Sequence, residues 1–409
     1  MTVTAERAPA RHTTGSGGAG DWPGPLRDTH SARVLFAGPA QGELHGRAVC
    51  RTGFAVAADG SYAACLAEAS GSGGRWFAER WTLSGPEPYA VPLPGAQPEE
   101  VSAKVLPLSD GRVLLMRRLA DRHDVVLLHP AGPGTAEVPV CSLPGTDVRL
   151  LPPSPAAGSA FALVPGPAGG TEIRQVHGPG GPVRVAAVAG RCTGGVWLDR
   201  TGRFLAVDRE RDGRTKTVAV DLHTGEVTDL LRITEDSDDR LLLAEPDSGL
   251  LVLRSDATGT SRLGWGVLGS GAPVRFPDSL RPDGLLLTPV AASPGHGLAL
   301  VALRAGAPGG AESLALWRPG AGRPNWRPAP AGWLGPTALW LPDTPLRLPF
   351  SLPDGSLALA SYDAPSVCPP APAGAPQSTA VRAPVTPVTR TAEVLPLQDA
   401  PLPRGDARA

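Results

Sequence analysis

The sequence predicts an all-β chain: a seven-bladed β-propeller of four-stranded antiparallel blades, its last blade completed by N-terminal strands, with disordered tails. Three observations predict this. A turn ending in or near glycine, followed by a small apolar run, recurs as ADGSYAACL (58–66), SDGRVLLM (109–116), AAGSAFALV (156–164), RTGRFLAV (200–207), DSGLLVL (247–253), PGHGLALV (294–301) and PDGSLALA (353–360). Its markers Gly60, Gly111, Gly158, Gly202, Gly249, Gly297 and Gly355 are 51, 47, 44, 47, 48 and 58 residues apart, near the ~40–50 residues of a four-stranded blade. Finally, 51 Gly and 47 Pro fall between apolar runs in a chain that is 42% apolar, which suits a turn-rich β protein better than a low-complexity one.

The strand pattern is clearest in the fourth unit. Gly194–Leu198 reads as a first strand, Asp199–Gly202 as a turn and Arg203–Arg209 as a second strand. After Asp212–Gly213, Arg214–Leu222 alternates with period two, and His223-Thr224-Gly225 leads into Glu226–Leu231. Alternation between glycine turns is the pattern of an antiparallel meander. At the C-terminal end, Leu357–Tyr362 is followed directly by Pro-rich sequence, so the last blade is expected to lack two outer strands. Ala32–Phe36 and His45–Arg51 are expected to supply them, closing the ring and covering an exposed sheet edge. The domain boundaries follow: a disordered arm over 1–30, the propeller over 31–363 and a Pro-rich disordered tail over 364–409, where sparse apolar residues cannot offset chain entropy.

VWLDRTGRFLAVDRERDGRTKTVAVDLHTGEVTDLL (196–231) resembles a repeat of the TolB-type, WD-like propellers, which are also similar to the propeller domain of the prolyl oligopeptidase family. The resemblance covers about 32–363 and is carried further by LPDGSLALASYD (352–363) and AADGSYAACL (57–66). It implies the propeller without the catalytic domain, because no G-x-S-x-G elbow occurs and no room for a hydrolase domain follows residue 363.

Composition narrows the partners. A net charge of −1 supplies no field for nucleic acid or an anionic membrane. Of 38 Lys and Arg only Lys104 and Lys216 are lysine, and Asn325 is the single asparagine, which points to a GC-rich, actinobacterial source. Cys50, Cys65, Cys141, Cys192 and Cys368 have no C-x-x-C spacing, so reduced thiols are expected rather than disulfides or zinc. The first twenty residues lack an apolar signal core, and no apolar run approaches the ~20 residues of a membrane span. A cytoplasmic monomer is the expectation.

Chemistry is sparse. G-x-G-x-x-G at Gly15-Gly17-Gly20 and Gly264-Gly266-Gly269 lacks the strand–loop–helix setting of a phosphate loop. The eight histidines are scattered. The acidic run Glu235-Asp236-Ser237-Asp238-Asp239 is placed in the loop from an outermost strand to the next innermost one, on a face shared with Glu99, Glu100, Asp147, Asp278 and Asp283 and a few cations such as Arg191, Arg240 and Arg281. Such a mouth would steer a basic partner or hold a divalent cation. Trp317, Trp326, Trp333 and Trp340 crowd the longest marker interval; most are expected to pack between blades, with Trp333 exposed. Two functions remain open: a non-catalytic scaffold binding a protein or peptide through Glu99, Glu100, Glu235, Asp236, Asp238, Asp239, Arg240, Asp283 and Trp333, with no cofactor; or a lyase or hydrolase with a cation held by Asp236, Asp238 and Asp239 with Glu99 or Asp283. An accessory role in a specialised-metabolite pathway is a third.

Overall fold

The computed structural model describes residues 33–36 and 48–364, except 70–73, 86–87, 133, 296, 298, 308–309 and 354. The arm over 1–30, nearly all of the Pro-rich tail and Cys368 therefore lie outside the described residues. Strand β1 (Arg33–Phe36) comes first. The first sheet follows as β2 (Ala48–Val56), β3 (Tyr62–Ala69), β4 (Trp76–Thr82) and β5 (Tyr89–Leu93). The second is β6 (Lys104–Pro107), β7 (Val113–Arg118), β8 (Arg122–Ala131) and β9 (Gly134–Pro144). The third is β10 (Arg149–Leu150), β11 (Ala160–Pro165), β12 (Thr171–His177) and β13 (Val183–Val188). The fourth, β14 (Arg191–Trp197), β15 (Phe204–Arg211), β16 (Arg214–Asp221) and β17 (Val227–Leu231), matches the meander read from the sequence. The fifth has only β18 (Asp239–Glu245), β19 (Leu250–Ser255) and β20 (Arg262–Val267). The sixth is β21 (Leu286–Ala292), β22 (Val301–Gly306), β23 (Ser313–Trp317) and β24 (Asn325–Pro328). Last come β25 (Leu346–Ser351) and β26 (Leu357–Tyr362), to which β1 is added. All pairings are antiparallel, and the fold is a β-propeller. No helix among the described residues is long and apolar enough to cross a membrane.

The apolar runs after the marker turns are continuous because their strands are buried on both faces. In β11, Ala160, Ala162 and Val164 pack toward the second sheet, while Phe161 and Leu163 pack toward the fourth. In β19, Leu251 and Leu253 face the fourth sheet, and Leu250 and Val252 face the sixth. Between the last sheet and the first, Leu357 and Leu359 meet Ala63 and Trp81. Each sheet thus supplies half of two cores, which is how a propeller grows without one large interior.

Six of the seven marker glycines are backbone requirements, Gly297 being the exception. Gly60, Gly111, Gly158, Gly202, Gly249 and Gly355 all have positive φ, between 68° and 82°. At Gly202 a Cβ would also lie 2.9 Å from the Ala156 backbone nitrogen in the preceding sheet. The turn and the blade interface both select glycine there.

The expectation of seven four-stranded blades needs correction. Among the described residues, six sheets follow in chain order from β2 to β24, a further one joins the two ends, and five of the sheets have four strands. Beside β20, the outer place is taken by an irregular segment that forms one bridge, Trp265 to Arg275. In the last sheet the irregular position is innermost. Residues 332–339 run antiparallel to β25 through bridges Trp333–Phe350 and Leu339–Arg347 and the Leu334 N–H to the Pro349 carbonyl. Strands β25 and β26 are therefore the second and third elements, and only one outer strand is wanting. β1 fills it, pairing Arg33 with Ser361 through Phe36 with Ala358. His45–Arg51 was expected there as well; instead Ala48–Val56 is the innermost strand of the first sheet. The slip also explains the 58-residue step: Gly355 lies in the second-to-third turn, whereas the other markers lie in first-to-second turns.

A buried polar knot joins the two ends of the ring. Arg51 on β2 gives Nε to Glu79 Oε1 at 2.8 Å and Nη1 to the Gly355 carbonyl at 3.0 Å. Glu79 also accepts from Trp81 Nε1 at 2.8 Å. The Arg51 and Glu79 side chains are only 5% and 4% exposed. Arg51→Met is expected to lower unfolding stability by about 3–5 kcal/mol, the cost of stranding a buried carboxylate. Denaturant titration measures it, and a loss below about 1 kcal/mol would show that closure does not depend on this pair.

Candidate functional site

The innermost elements of all the sheets surround a central funnel of about 950 Å³. Its wall is mostly apolar, with Phe54 and Val56 on β2, Val196 on β14, Leu243 on β18 and Val290 on β21, each half-buried. Thr337 and Ala338 of the irregular inner segment complete it, and the Thr337 hydroxyl donates to the Phe54 carbonyl at 2.7 Å. Prolines 152, 153, 155, 246 and 336 line the wall near the first-to-second turns. They lack N–H groups and so present apolar surface at those positions.

Charged groups mark the two ends. At the first-to-second turns stand Asp59, Asp199 and Arg200. Asp59 accepts from the Ser61 N–H at 3.1 Å and Asp199 from the Phe204 N–H at 3.0 Å, so both carboxylates shape their own turns. Arg200 reaches the fifth sheet, with Nη2 2.9 Å from Glu245 Oε1 and 2.6 Å from Asp247 Oδ2. At the start of the inner strands stand Lys104 and Arg149. Arg149 pairs with Asp147 at 3.0 Å, whereas exposed Lys104 has no ion-pair partner among the described residues. The axis at that end therefore carries cations, not the expected acidic mouth.

The acidic loop folds inward as a structural knot. Asp239 is fully buried and accepts from Lys216 Nζ at 2.8 Å, the Ile233 N–H at 2.9 Å and the Ser255 hydroxyl at 2.6 Å. Asp238 accepts from the Thr215 N–H at 2.8 Å, tying the loop to β16. Glu235 pairs with Arg232 at 2.5 Å, which holds its carboxyl below the usual range. Arg240 donates to the Thr215 hydroxyl at 2.9 Å. Glu99 is buried and paired with Arg117 at 2.7 Å, and Asp278 pairs with Arg262 at 2.5 Å. Asp236, Glu100 and Asp283 are exposed; Glu100 accepts from the Ser102 hydroxyl at 3.1 Å. The candidate carboxylates are thus mostly neutralised pairwise. Among the described residues, no three His, Cys, Asp or Glu side chains gather as a cation site.

The tryptophan expectation is also corrected. Trp333 is buried, 9% exposed, with Nε1 donating to the Thr337 carbonyl at 2.9 Å and Arg304 stacked on its ring. It packs where the inner segment crosses β25. Trp326 on the outermost β24 is the exposed member, at 43%.

No protein-family model matches the chain, and no curated protein matches it. Solved structures do. A prolyl endopeptidase, from work on two such enzymes and their inter-domain dynamics, aligns with TM-score 0.50 at 13% identity, over 78% of this chain and 51% of that one. TolB from Acinetobacter baumannii aligns with TM-score 0.39 at 12% identity, over 81% and 80%. Oligogalacturonate lyase from Vibrio parahaemolyticus aligns with TM-score 0.47 at 11% identity, over 78% and 90%. The likeness is one of fold. The expected resemblance to TolB-type and prolyl oligopeptidase propellers is found at that level, and the chain spans about half the length of the prolyl endopeptidase.

The funnel residues were missed in the sequence because inner strands carry the weakest pattern. Leu242-Leu243-Ala244 and Pro289-Val290 carry no polar or periodic feature that sets them apart from other strand residues. The usable signal was position, since residues that precede the six first-to-second marker turns line the funnel, the Gly355 turn being the exception.

One ion pair on the fourth sheet links stability to pH. Arg203 Nη2 lies 2.6 Å from Asp221 Oδ2 and holds the Asp221 pKa at about 2. Because the folded pKa is depressed, this stabilisation is complete above about pH 4, the unfolded aspartate range, and is lost as pH falls toward 2. Asp221→Asn is therefore expected to flatten the pH dependence of the unfolding midpoint between about pH 4 and 2, as followed by circular dichroism. An unchanged slope would refute the clamp. The buried loop knot gives a separate expectation. Lys216→Met should cost about 3–5 kcal/mol by stranding Asp239, measured by the same unfolding assay.

Proposed function

We propose that this protein is a non-catalytic scaffold that binds an extended segment of a protein partner in the central funnel. The observation carrying the reading is the funnel itself, about 950 Å³ and walled by apolar side chains with charges at either end. Pockets of ~300–1,000 Å³ suit ligands that bury most of their surface, and an extended chain is narrow enough to lie along a propeller axis. Apolar side chains would provide the contact energy, while Lys104 at one end and the Asp59 and Asp199 turns at the other would set direction. In this reading the protein works as a cytoplasmic monomer.

The acidic loop plays a different part from the one expected of it. Its Asp239–Lys216 core fixes the spacing of the fourth and fifth sheets, leaving Asp236 as a rim charge. Peptides selected from a random library against the full chain would test the proposal. Leu243→Arg and Val290→Arg place a charge on the apolar wall and are expected to weaken selected peptides at least about tenfold, equivalent to ~1.4 kcal/mol, with the circular dichroism spectrum unchanged. Peptides that bind both variants as tightly as the parent would sink the funnel as the site.

A further inference from the structure

We propose that the funnel has an occupant in its own chain, the Pro-rich segment around Glu393–Leu402, which competes with external partners. This rests on the reading of the funnel as a peptide site and concerns its regulation. The first observation is where the chain leaves the last sheet. Tyr362 at the end of β26 pairs with Leu346 at the start of β25, directly after the turn at Leu341–Thr344. That turn sits beside the β2–β3 turn, since a Cβ on Gly60 would lie 2.9 Å from the side chains of Leu339 and Leu341. Asp59 in the same β2–β3 turn lines the funnel. Chain beyond Tyr362 therefore leaves on the face where the funnel has its proline-walled end.

Distance and composition complete the case. β26 is the third element of its sheet, two strand spacings or about 10 Å from the inner segment that lines the funnel. A flexible Gly-rich chain as long as Ala364 to Glu393 would have a root-mean-square reach of about 30 Å. Tethering at that length gives an effective concentration on the order of mM, so weak contacts suffice for occupancy. Within 364–409, Val394-Leu395-Pro396-Leu397 is the densest apolar run and is flanked by Glu393 and Asp399. An apolar wall with Lys104, which has no ion-pair partner among the described residues, at its far end complements such a segment. The N-terminal arm begins on the same face, because β1 runs antiparallel to β26. Residues 1–30 hold no comparable run, with Val3, Trp22 and Leu26 far apart.

The test uses the full chain with photoreactive p-benzoylphenylalanine replacing Leu397. Irradiation is expected to yield intramolecular cross-links to peptides containing Leu243, Val290 or Pro153, and these should disappear when Leu243→Arg is added. Cross-links confined to outer strands or formed between molecules would overturn the proposal. A second readout uses a library-selected peptide with the double variant Leu395→Asp, Leu397→Asp. Release of the funnel is expected to tighten that peptide at least about fivefold relative to the parent; equal affinity would overturn the competition. Funnel cross-links without peptide binding by either chain would support the internal occupant and refute the external partner.

Discussion

Every sheet in this chain has two apolar faces, so none can end the row. That constraint governs the rest of the structure. A strand such as β19, with Leu250 and Val252 on one side and Leu251 and Leu253 on the other, needs a neighbour on both sides to remove its apolar area from water. The row has to close, and closure brings the first and last parts of the chain together. The polar knot of Arg51, Glu79 and Trp81 sits at that junction, where Arg51 also holds the Gly355 carbonyl. A desolvated ion pair adds little net stability by itself. Its geometry does reward one alignment of the last sheet against the first.

The funnel is a by-product of the same closure. Inner strands meet around the axis but cannot fill it, because their side chains divide between neighbouring interfaces and the centre. Charged residues are drawn into fixing the wall: Asp59 and Asp199 accept from turn N–H groups, and Arg200 spans two sheets. The free surface of the funnel wall is thus mainly apolar.

What the sequence made legible was periodic. Glycines with positive φ followed by doubly buried runs mark the turns well, and in the fourth sheet the expected strands match those observed. Pattern failed where backbone is irregular. Gly332–Leu339 contains no alternation, so its place in the last sheet was invisible, and with it the reason that one N-terminal strand suffices. The acidic loop misled for another reason. Sequence shows Asp238 and Asp239 as neighbours in a charge run, whereas their partners Thr215 and Lys216 are over twenty residues away and appear only when β16 lies beside the loop. Trp333 likewise looked like a loop residue until its bridge to Phe350 formed.

The added strand β1 has a practical side. Being antiparallel to β26, it brings residue 33 and residue 364 to the same face of the ring. A purification tag, fluorescent protein or surface linker attached through either terminal region would start from that face, beside the funnel's proline-walled end. The opposite face, with Lys104 and the reorganised acidic loop, would remain open to solvent. Attachment through an internal turn on that opposite face, such as Asp121–Arg122, would instead leave the proline-walled end clear.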